Sequence, residues 1–236
     1  SHSCLINFDG LRLRYEMTDN YLSISRSLRE VGVTLVAVSK TRTVEEISKM
    51  YAAGQRDFGE NKVQELTDKA AQLPDDIRWH LIGHLQKNKV KYIADFVHLI
   101  HSVDSLALLE EINKRGAAAN RVIPCLLQIF IASEPTKFGL SEEEALAILS
   151  GNTLKELPHV RIDGLMGMAT MTEDAAVISA EFNGLRQLFT QWKQIYFQDA
   201  PHFNTLSMGM SSDYELAIAA GSNMVRIGTL LFGPRN

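Results

Sequence analysis

Residues 33–40 read VTLVAVSK, a run of apolar and β-branched residues that ends in a lysine. Such a run is typical of a buried strand, and the helical pattern that follows it is the alternation expected of a parallel sheet. Seven similar runs follow, of which the second and seventh along the chain rest partly on spacing. The eight predicted strands are Val33–Val38, Arg56–Gly59, Arg78–Ile82, Phe96–Ile100, Val122–Ile129, Val160–Met166, His202–Leu206 and Asn223–Ile227. Eight is the number that closes a barrel, so the sequence predicts an α/β fold with a single TIM-type (β/α)8 barrel.

Local signals place helices between these strands. Thr43 with Glu46, and Ser141 with Glu144, have the spacing of a capping box at a helix N-terminus. Glycines fall where the residue after a helix end is expected, and these are Gly54, Gly116, Gly151 and Gly221.

The N-terminal region is predicted to add one helix to the barrel. An amphipathic pattern runs from about Tyr15 to Val31, with Leu22, Leu28 and Val31 on one face. Residues 1–14 are expected to be a tag remnant or an irregular tail, because the first residues lack any period and the chain opens on Ser-His. No linker or change in composition divides the chain, so residues 1–236 are predicted to form one domain.

Composition excludes several classes of partner. The chain has 236 residues, is 45% hydrophobic and 22% charged, and carries a net charge of −4. It has no stripe of Lys and Arg interleaved with aromatics, so binding to nucleic acid is not expected. It also lacks an apolar run of about 18 residues and a signal peptide, so no membrane association is expected. With two cysteines, of which Cys125 lies in an apolar run and is expected to be a buried structural thiol, the chain is predicted to be cytoplasmic.

Lys40 directly follows the first predicted strand, at the end of a barrel where active sites lie. A lysine drawn into a partly dry barrel mouth can react as a neutral amine and form a Schiff base with a carbonyl. Position alone favours a solvated lysine at the rim, so further support is needed.

That support comes from the last two predicted strands. Residues 207–213, SMGMSSD, follow the seventh strand and open a helix, while Gly228 and Thr229 follow the eighth. Barrels frequently bind phosphate at this position, where small residues, hydroxyls and backbone N–H groups meet. The alternative is that Ser211 or Ser212 only caps the helix.

Arg226 is a charge within the apolar eighth strand and therefore needs a partner. One alternative is an ion pair inside the barrel, for which Glu60 is a candidate. The other is a fixed hydrogen-bond donor to a cofactor ring, where an arginine would keep a pyridine nitrogen unprotonated.

Polar residues also follow the second and third strands. Glu60 and Asn61 are expected at the same rim, although Asn61 could be only a helix cap. A metal site is not expected, because the spacing of His80 and His84 suits zinc only on one helix, and no nearby carboxylate or cysteine completes the set in sequence. The polar cluster around the end of the third strand is His80, Gly83, His84, Gln86, Asn88 and Lys89.

Five segments, in order and spacing, resemble the pyridoxal phosphate homeostasis protein family, the single-domain relatives of the alanine racemase barrel. The resemblance extends from about Val33 to Phe232. The segments are AVSKT at 37–41, FGEN at 58–61 with Gln64-Glu65, WHLIGHLQ at 79–86 with Asn88-Lys89, LSMGMS at 206–211, and VRIGT at 225–229 with Phe232-Gly233.

The resemblance implies that pyridoxal 5′-phosphate is the cofactor. Lys40 matches the lysine that carries it, Arg226 matches the partner of the pyridine nitrogen, and Asn61 would lie near the cofactor. The phosphate would be held by Ser211, Gly228 and Thr229. A second lysine, Lys137, would lie at the rim as a lid or a second aldehyde contact, although a solvated loop lysine is the simpler interpretation.

The function implied is a protein that holds pyridoxal 5′-phosphate as a Schiff base and contributes to vitamin B6 homeostasis without established catalysis. Its partners would be the small-molecule cofactor and the apo-enzymes that depend on it, and the protein would be a monomer or a weak dimer. One alternative is a pyridoxal-phosphate-dependent amino-acid racemase or lyase. It is disfavoured because the racemase relatives carry a second, all-β domain with a catalytic tyrosine. A second alternative is a Schiff-base barrel enzyme acting on a sugar phosphate.

Overall fold

The computed structural model describes residues 8–135 and 138–234, and its strands close into one parallel barrel. Each strand pairs with the next along the chain, and β1 pairs with β8 to complete the ring. The predicted (β/α)8 barrel is confirmed. The strands are β1 (Thr34–Val38), β2 (Asp57–Glu60), β3 (Arg78–Leu81), β4 (Leu99–Val103), β5 (Ile123–Gln128), β6 (Val160–Met166), β7 (Thr205–Ser207) and β8 (Met224–Ile227).

An α-helix follows each strand except β3. Between β3 and β4 the connection is a 3₁₀ helix, Lys87–Tyr92, and another short 3₁₀ turn, Leu154–Glu156, precedes β6. The α-helices are α1 (Phe8–Glu30), α2 (Val44–Ala52), α3 (Val63–Ala70), α4 (Leu106–Ala118), α5 (Glu142–Leu149), α6 (Ala175–Tyr196), α7 (Tyr214–Ala219) and α8 (Thr229–Phe232).

Two apolar layers hold the barrel. The larger core fills the space between strands and helices and includes Phe58, Ile100 and Leu165. Residues from opposite sides of the barrel, on β1 and β8 and on β4, β5 and β6, form a smaller cluster that can meet only inside the barrel. Its buried members are Val36, Leu99, Leu126, Met166 and Met224. Residues two positions farther along these strands therefore also face inward, toward the end of the barrel where the strands finish.

Both predicted capping boxes are confirmed, at Thr43 with Glu46 and at Ser141 with Glu144. Three of the predicted C-terminal glycines follow helix ends with positive φ, and these are Gly54, Gly151 and Gly221.

The prediction for Gly116 is wrong, because this glycine lies within α4. A Cβ there would come 2.8 Å from the carbonyl oxygen of His159, so close approach of the chain to β6 explains the glycine. The left-handed residue after α4 is Asn120, with φ of 53°.

The fourth strand begins at Leu99, three residues later than predicted, and it includes the buried polar residues His101 and Ser102. Residues Phe96 and Val97 instead turn back on Ile93 through their backbone N–H groups. The seventh strand likewise begins late, at Thr205. Cys125 is fully buried as expected, and burial raises the pKa of its thiol.

The N-terminal helix is confirmed, but its bounds and its buried face differ from the prediction. It begins at Phe8, so the expectation of an irregular tail is wrong for residues 8–14, where Leu and Arg favour a helix despite one glycine. Residues 1–7 lie outside the described residues. The buried face presents Tyr21 and Leu28, whereas Leu22 and Val31 are exposed. The Tyr21 hydroxyl donates to Gln55 Oε1 at 2.9 Å, which ties α1 to the barrel. Within residues 8–135 and 138–234, no helix combines the length and apolar character needed to cross a bilayer.

Candidate functional site

A cavity of about 740 Å³ opens at the carboxyl ends of the strands. All of the predicted cofactor-binding residues line it, although they come from four different strand ends. They are Lys40, Asn61, Ser211, Arg226, Gly228 and Thr229. Because the barrel brings the ends of β1, β2, β7 and β8 to one rim, residues far apart in sequence share a single space.

The turn that carries Lys40 is strained. Thr41, the next residue, has φ of 63°, a left-handed conformation that a β-branched residue rarely adopts. Its backbone N–H donates to Glu65 Oε2 at 2.5 Å. On the other side of the lysine, Ser39 is fully buried and its N–H donates to the carbonyl oxygen of Gly59 at 3.0 Å. The backbone on both sides of Lys40 is therefore fixed by hydrogen bonds.

Lys69, on α3, supports this turn from behind. Its ammonium group donates to Ser39 O at 2.6 Å, Glu60 Oε1 at 2.5 Å and Glu65 Oε2 at 2.6 Å. All of its donors are thus used in a buried place, where an unpaired charge would be costly.

The two carboxyl groups that accept hydrogen bonds from Lys69, Glu60 and Glu65, have pKa values shifted in opposite directions. Burial raises the pKa of Glu60 to about 6, although hydrogen bonds from Lys69 and Ser39 oppose the shift. Burial also acts to raise the pKa of Glu65, but the hydrogen bonds from Lys69 and Thr41 outweigh it and lower the pKa.

Glu60 is not one of the residues that line the cavity. It lies on the helix side of β2, paired with Lys69, so its expected place at the rim is wrong, and so is the alternative that it pairs with Arg226. The reason is the alternation of side chains along a strand, which turns Glu60 outward toward α3.

Asn61 reaches the cavity because the loop after β3 packs tightly against it. A Cβ on Gly83 would lie 2.5 Å from the carbonyl oxygen and 2.8 Å from the Cα of Asn61. Only glycine allows this approach between two backbone segments. The N-cap of α3 is Lys62, so Asn61 does not cap that helix.

Ser211, Gly228 and Thr229 lie together at one side of the cavity. The Gly228 N–H donates to Ser211 Oγ at 3.3 Å and joins the loops that follow β7 and β8. Gly209 has φ of 109°, which lets the first of these loops turn sharply. The N-cap of α7 is Asp213, so the alternative that Ser211 or Ser212 caps this helix is wrong.

Arg226 is 2% exposed and faces the cavity from β8. One guanidinium nitrogen donates to the hydroxyl of Ser207, and the other donates to the carbonyl oxygen of Gly167 at 3.2 Å. Burial lowers the pKa of Arg226 to about 10, and the charge of Asp213 opposes the shift. The guanidinium therefore keeps its proton at neutral pH.

His80 lies inside the barrel, apart from the cavity. It contacts Asp57 at 2.9 Å through Nε2 and His101 at 2.8 Å through Nδ1. A ligand atom from each of Asp57, His80 and His98 lies within 4.8 Å of the others, so the expectation that no carboxylate is near His80 is wrong. The guanidinium of Arg78 donates two hydrogen bonds to Asp57, at 2.9 and 2.8 Å, and so places a positive charge beside this carboxylate. The arrangement favours a hydrogen-bonded network over a metal.

His84 lies at the cavity wall instead. Its ring stacks on that of Phe138, with centroids 4.1 Å apart, and its Nδ1 is 3.2 Å from Asp104. Thr136 and Lys137 lie outside the described residues, so the position expected for Lys137 is not seen. Of the remaining members of the predicted polar cluster, Gly83 lines the cavity, while Gln86, Asn88 and Lys89 belong to the turn around the 3₁₀ helix and do not.

Sequence reasoning missed several functional neighbours. Lys69 has the pattern of an ordinary helix-surface lysine, and only its burial reveals its role. His101 was visible as a polar residue beside a strand, which is the signal that could have marked it as an interior residue. The segment after β6 was also missed, and its residues at 168–173 form one wall of the cavity.

Comparisons with known proteins show which families this chain is similar to. A model of the family described as alanine racemase, N-terminal domain, matches residues 15–236. The pyridoxal phosphate homeostasis protein of Aquifex aeolicus is 44% identical over 202 residues, which span 85% of this chain and 86% of the relative. The protein of the same name from Pasteurella multocida is 40% identical over 210 residues, 88% of each chain.

Solved structures of PipY from Synechococcus elongatus PCC7942 share the fold. The structure without PLP has a TM-score of 0.85 and 39% identity, and covers 92% of this chain and 100% of that chain. The structure with PLP bound has a TM-score of 0.83 and 38% identity, with the same coverage.

Proposed function

This chain belongs to the alanine racemase N-terminal domain family and, within it, to the pyridoxal phosphate homeostasis proteins, and we propose that it holds pyridoxal 5′-phosphate on Lys40. By holding and releasing the cofactor, it would contribute to vitamin B6 homeostasis without catalysing a reaction of its own. The names of the relatives and the PLP-bound PipY structure support this proposal.

One observation carries the assignment of the site. A lysine, a buried arginine and a group of hydroxyl and backbone donors line one cavity, and these are the three features that the cofactor requires. Its aldehyde condenses reversibly with an amine, its ring nitrogen accepts a hydrogen bond, and its phosphate accepts several. The cavity volume of about 740 Å³ suits a small-molecule site.

Each residue then has a defined task. Lys40 supplies the amine, held in place by the hydrogen-bonded turn described above. Ser211, Gly228 and Thr229 hold the phosphate at the far side of the cavity. Asn61 supports the ring from the end of β2.

Arg226 donates to the ring nitrogen. Because a guanidinium does not readily give up its proton, it keeps that nitrogen unprotonated and weakens the ring as an electron sink. This pairing favours storage of the cofactor over carbanion chemistry.

The partners of the protein follow from this role. The protein is proposed to be cytoplasmic and a monomer or weak dimer, with residues 1–236 acting as one domain. It would pass cofactor to pyridoxal-phosphate-dependent apo-enzymes. The cavity opens at the barrel rim, where Met171 is 84% exposed, so a bound cofactor can leave without unfolding of the barrel.

The experiment adds pyridoxal 5′-phosphate to the purified protein, records the visible absorption, reduces with borohydride and maps the modified peptide. The expected result is a visible band and an adduct on Lys40. Lys40→Ala should lose both and remain folded, while Lys89→Ala, a matched exposed lysine outside the cavity, should keep both. An adduct preserved in Lys40→Ala would place the anchor on another lysine. No band and no adduct in the wild-type protein would reject the cofactor and favour a sugar-phosphate enzyme.

A further inference from the structure

A chain of polar side chains runs through the interior of the barrel and ends at Arg226. Asp57 Oδ1 lies 2.9 Å from His80 Nε2, and His80 Nδ1 lies 2.8 Å from His101 Nε2. His101 Nδ1 lies 2.9 Å from the hydroxyl of Ser207, which also accepts a hydrogen bond from Arg226. The four residues after Asp57 come from β3, β4, β7 and β8 in turn. The hydrogen-bonded chain therefore crosses the barrel from the amino end of β2 to the cavity.

The side chains of this hydrogen-bonded chain beyond Asp57 are buried. His80, His101 and Ser207 are fully buried, and Arg226 is 2% exposed. In such surroundings a polar atom without a partner is costly, and a hydrogen-bonded chain is polarised along its length. The protons along these residues are therefore arranged so that each donor meets an acceptor.

The arrangement can be derived from the Asp57 end. Burial acts to raise the pKa of Asp57, but hydrogen bonds from His80 and Arg78 hold it well below its ordinary value. The ionised carboxylate only accepts, so His80 must donate to it from Nε2. If His80 carries only this one proton, its Nδ1 accepts, which requires that His101 donate from its own Nε2.

The Arg226 end of the chain is compatible with this arrangement. Arg226 can only donate, so Ser207 accepts from it and has its own hydroxyl hydrogen left to donate. His101 is neutral, because burial lowers its pKa well below the ordinary value, and with its proton on Nε2 its Nδ1 is an acceptor. Ser207 thus donates to His101, and every link points from Arg226 toward Asp57 without a conflict.

We propose that His101 and His80 are positioning residues that act through Ser207 to orient Arg226 toward the cofactor. By accepting the Ser207 hydrogen, His101 makes that hydroxyl a stronger acceptor for one guanidinium nitrogen and prevents it from turning into the cavity. The guanidinium is thereby held in one orientation, with its charge balanced along the chain by Asp57. This inference rests on the proposed contact between Arg226 and the ring nitrogen.

The first test uses protein without cofactor and is independent of the proposed function. Nitrogen-15 NMR of the histidine rings, assigned with single substitutions, should show one proton on each of His80 and His101, at Nε2 in both. A proton on Nδ1 of His101, or a doubly protonated ring at either position at neutral pH, would overturn the inference.

The second test measures the dissociation constants of pyridoxal 5′-phosphate and of its 1-deaza analogue, which lacks the ring nitrogen. His101→Leu should weaken binding of the cofactor about tenfold, the equivalent of one hydrogen bond, and change binding of the analogue less than twofold. His101→Gln, whose amide can accept from Ser207 and donate to His80, should restore most of the affinity.

The controls separate the two proposals. Equal loss for both ligands in His101→Leu would show that His101 is only structural. If that variant does not fold, Ser207→Ala replaces it with the same expected pattern and the same contradicting result. If the wild-type protein binds both ligands equally well, the contact of Arg226 with the ring nitrogen fails, whereas the NMR result still decides whether the chain exists.

Discussion

The ammonium group of Lys69 donates a hydrogen bond of 2.6 Å to the carbonyl oxygen of Ser39, the residue directly before Lys40. A buried charge on a helix thus holds the backbone of the proposed cofactor lysine from outside the barrel. The same ammonium group neutralises Glu60, whose side chain is fully buried.

Removal of Lys69 should therefore destabilise the fold. Lys69→Met leaves Glu60 without its buried partner, and we expect the free energy of unfolding in urea at pH 7 to fall by about 3 kcal/mol. The loss should shrink at pH 5, because burial raises the pKa of Glu60 to about 6 and the unpartnered carboxyl group then binds a proton. Lys49→Met, at an exposed lysine of α2, is the matched control and should change stability by less than about 0.5 kcal/mol. Equal effects of the two substitutions would refute this role.

Thr41 stores strain that glycine would relieve. In the left-handed region a residue with a Cβ costs about 1 kcal/mol relative to glycine, so Thr41→Gly should stabilise the protein by about that amount. Thr41→Ala keeps a Cβ and should bring no such gain. Urea denaturation of the three proteins measures the difference, and a stabilising Thr41→Ala would contradict the explanation.

Gly83 should not tolerate a side chain. A Cβ there would lie 2.5 Å from the carbonyl oxygen of Asn61, so Gly83→Ala must displace the end of β2, with a loss of about 1–3 kcal/mol and weaker cofactor binding. Gly184→Ala is the matched control, because a methyl group on this helical glycine would meet nothing within 4 Å, and the substitution should gain about 0.5–1 kcal/mol. Thermal denaturation and cofactor titration distinguish the two, and similar melting temperatures would contradict the prediction.

The buried, neutral His101 should make stability depend on pH. Its pKa is lowered on folding, so below about pH 6.5 the unfolded chain binds a proton that the folded protein does not. Stability is lost as the pH falls, by about 1.4 kcal/mol per pH unit for this one group. Between pH 6 and 5, the slope of the free energy of unfolding against pH should be reduced by about that amount in His101→Gln. Ser207→Ala keeps the imidazole and should retain the slope. An unchanged slope in His101→Gln would show that this histidine does not contribute.

The sequence predicted the barrel because most strands are short apolar runs beside a helical pattern, which is a local signal, while the second and seventh strands rested partly on spacing. It also marked Arg226, because an arginine inside an apolar strand is an anomaly visible at one residue. Lys40 was marked through the family resemblance, since position alone favours a solvated lysine at the rim. The contact between His101 and Ser207 was not predictable, since it joins residues 106 positions apart and depends on the register of closed strands. The end of β4 was missed for a related reason, because the polar interior residues His101 and Ser102 interrupt the apolar pattern that marks a strand.

Closure of the ring by β1 and β8 sets Val36 beside Arg226. Lys40 follows β1 and Arg226 lies in β8. The two residues proposed to hold opposite sides of the cofactor therefore lie near opposite ends of the sequence. During translation, Lys40 leaves the ribosome before Arg226 and the loops after β7 and β8 exist. If these residues hold the cofactor as proposed, a nascent chain would present the amine before it could retain the vitamin, and loading would follow the synthesis of β8.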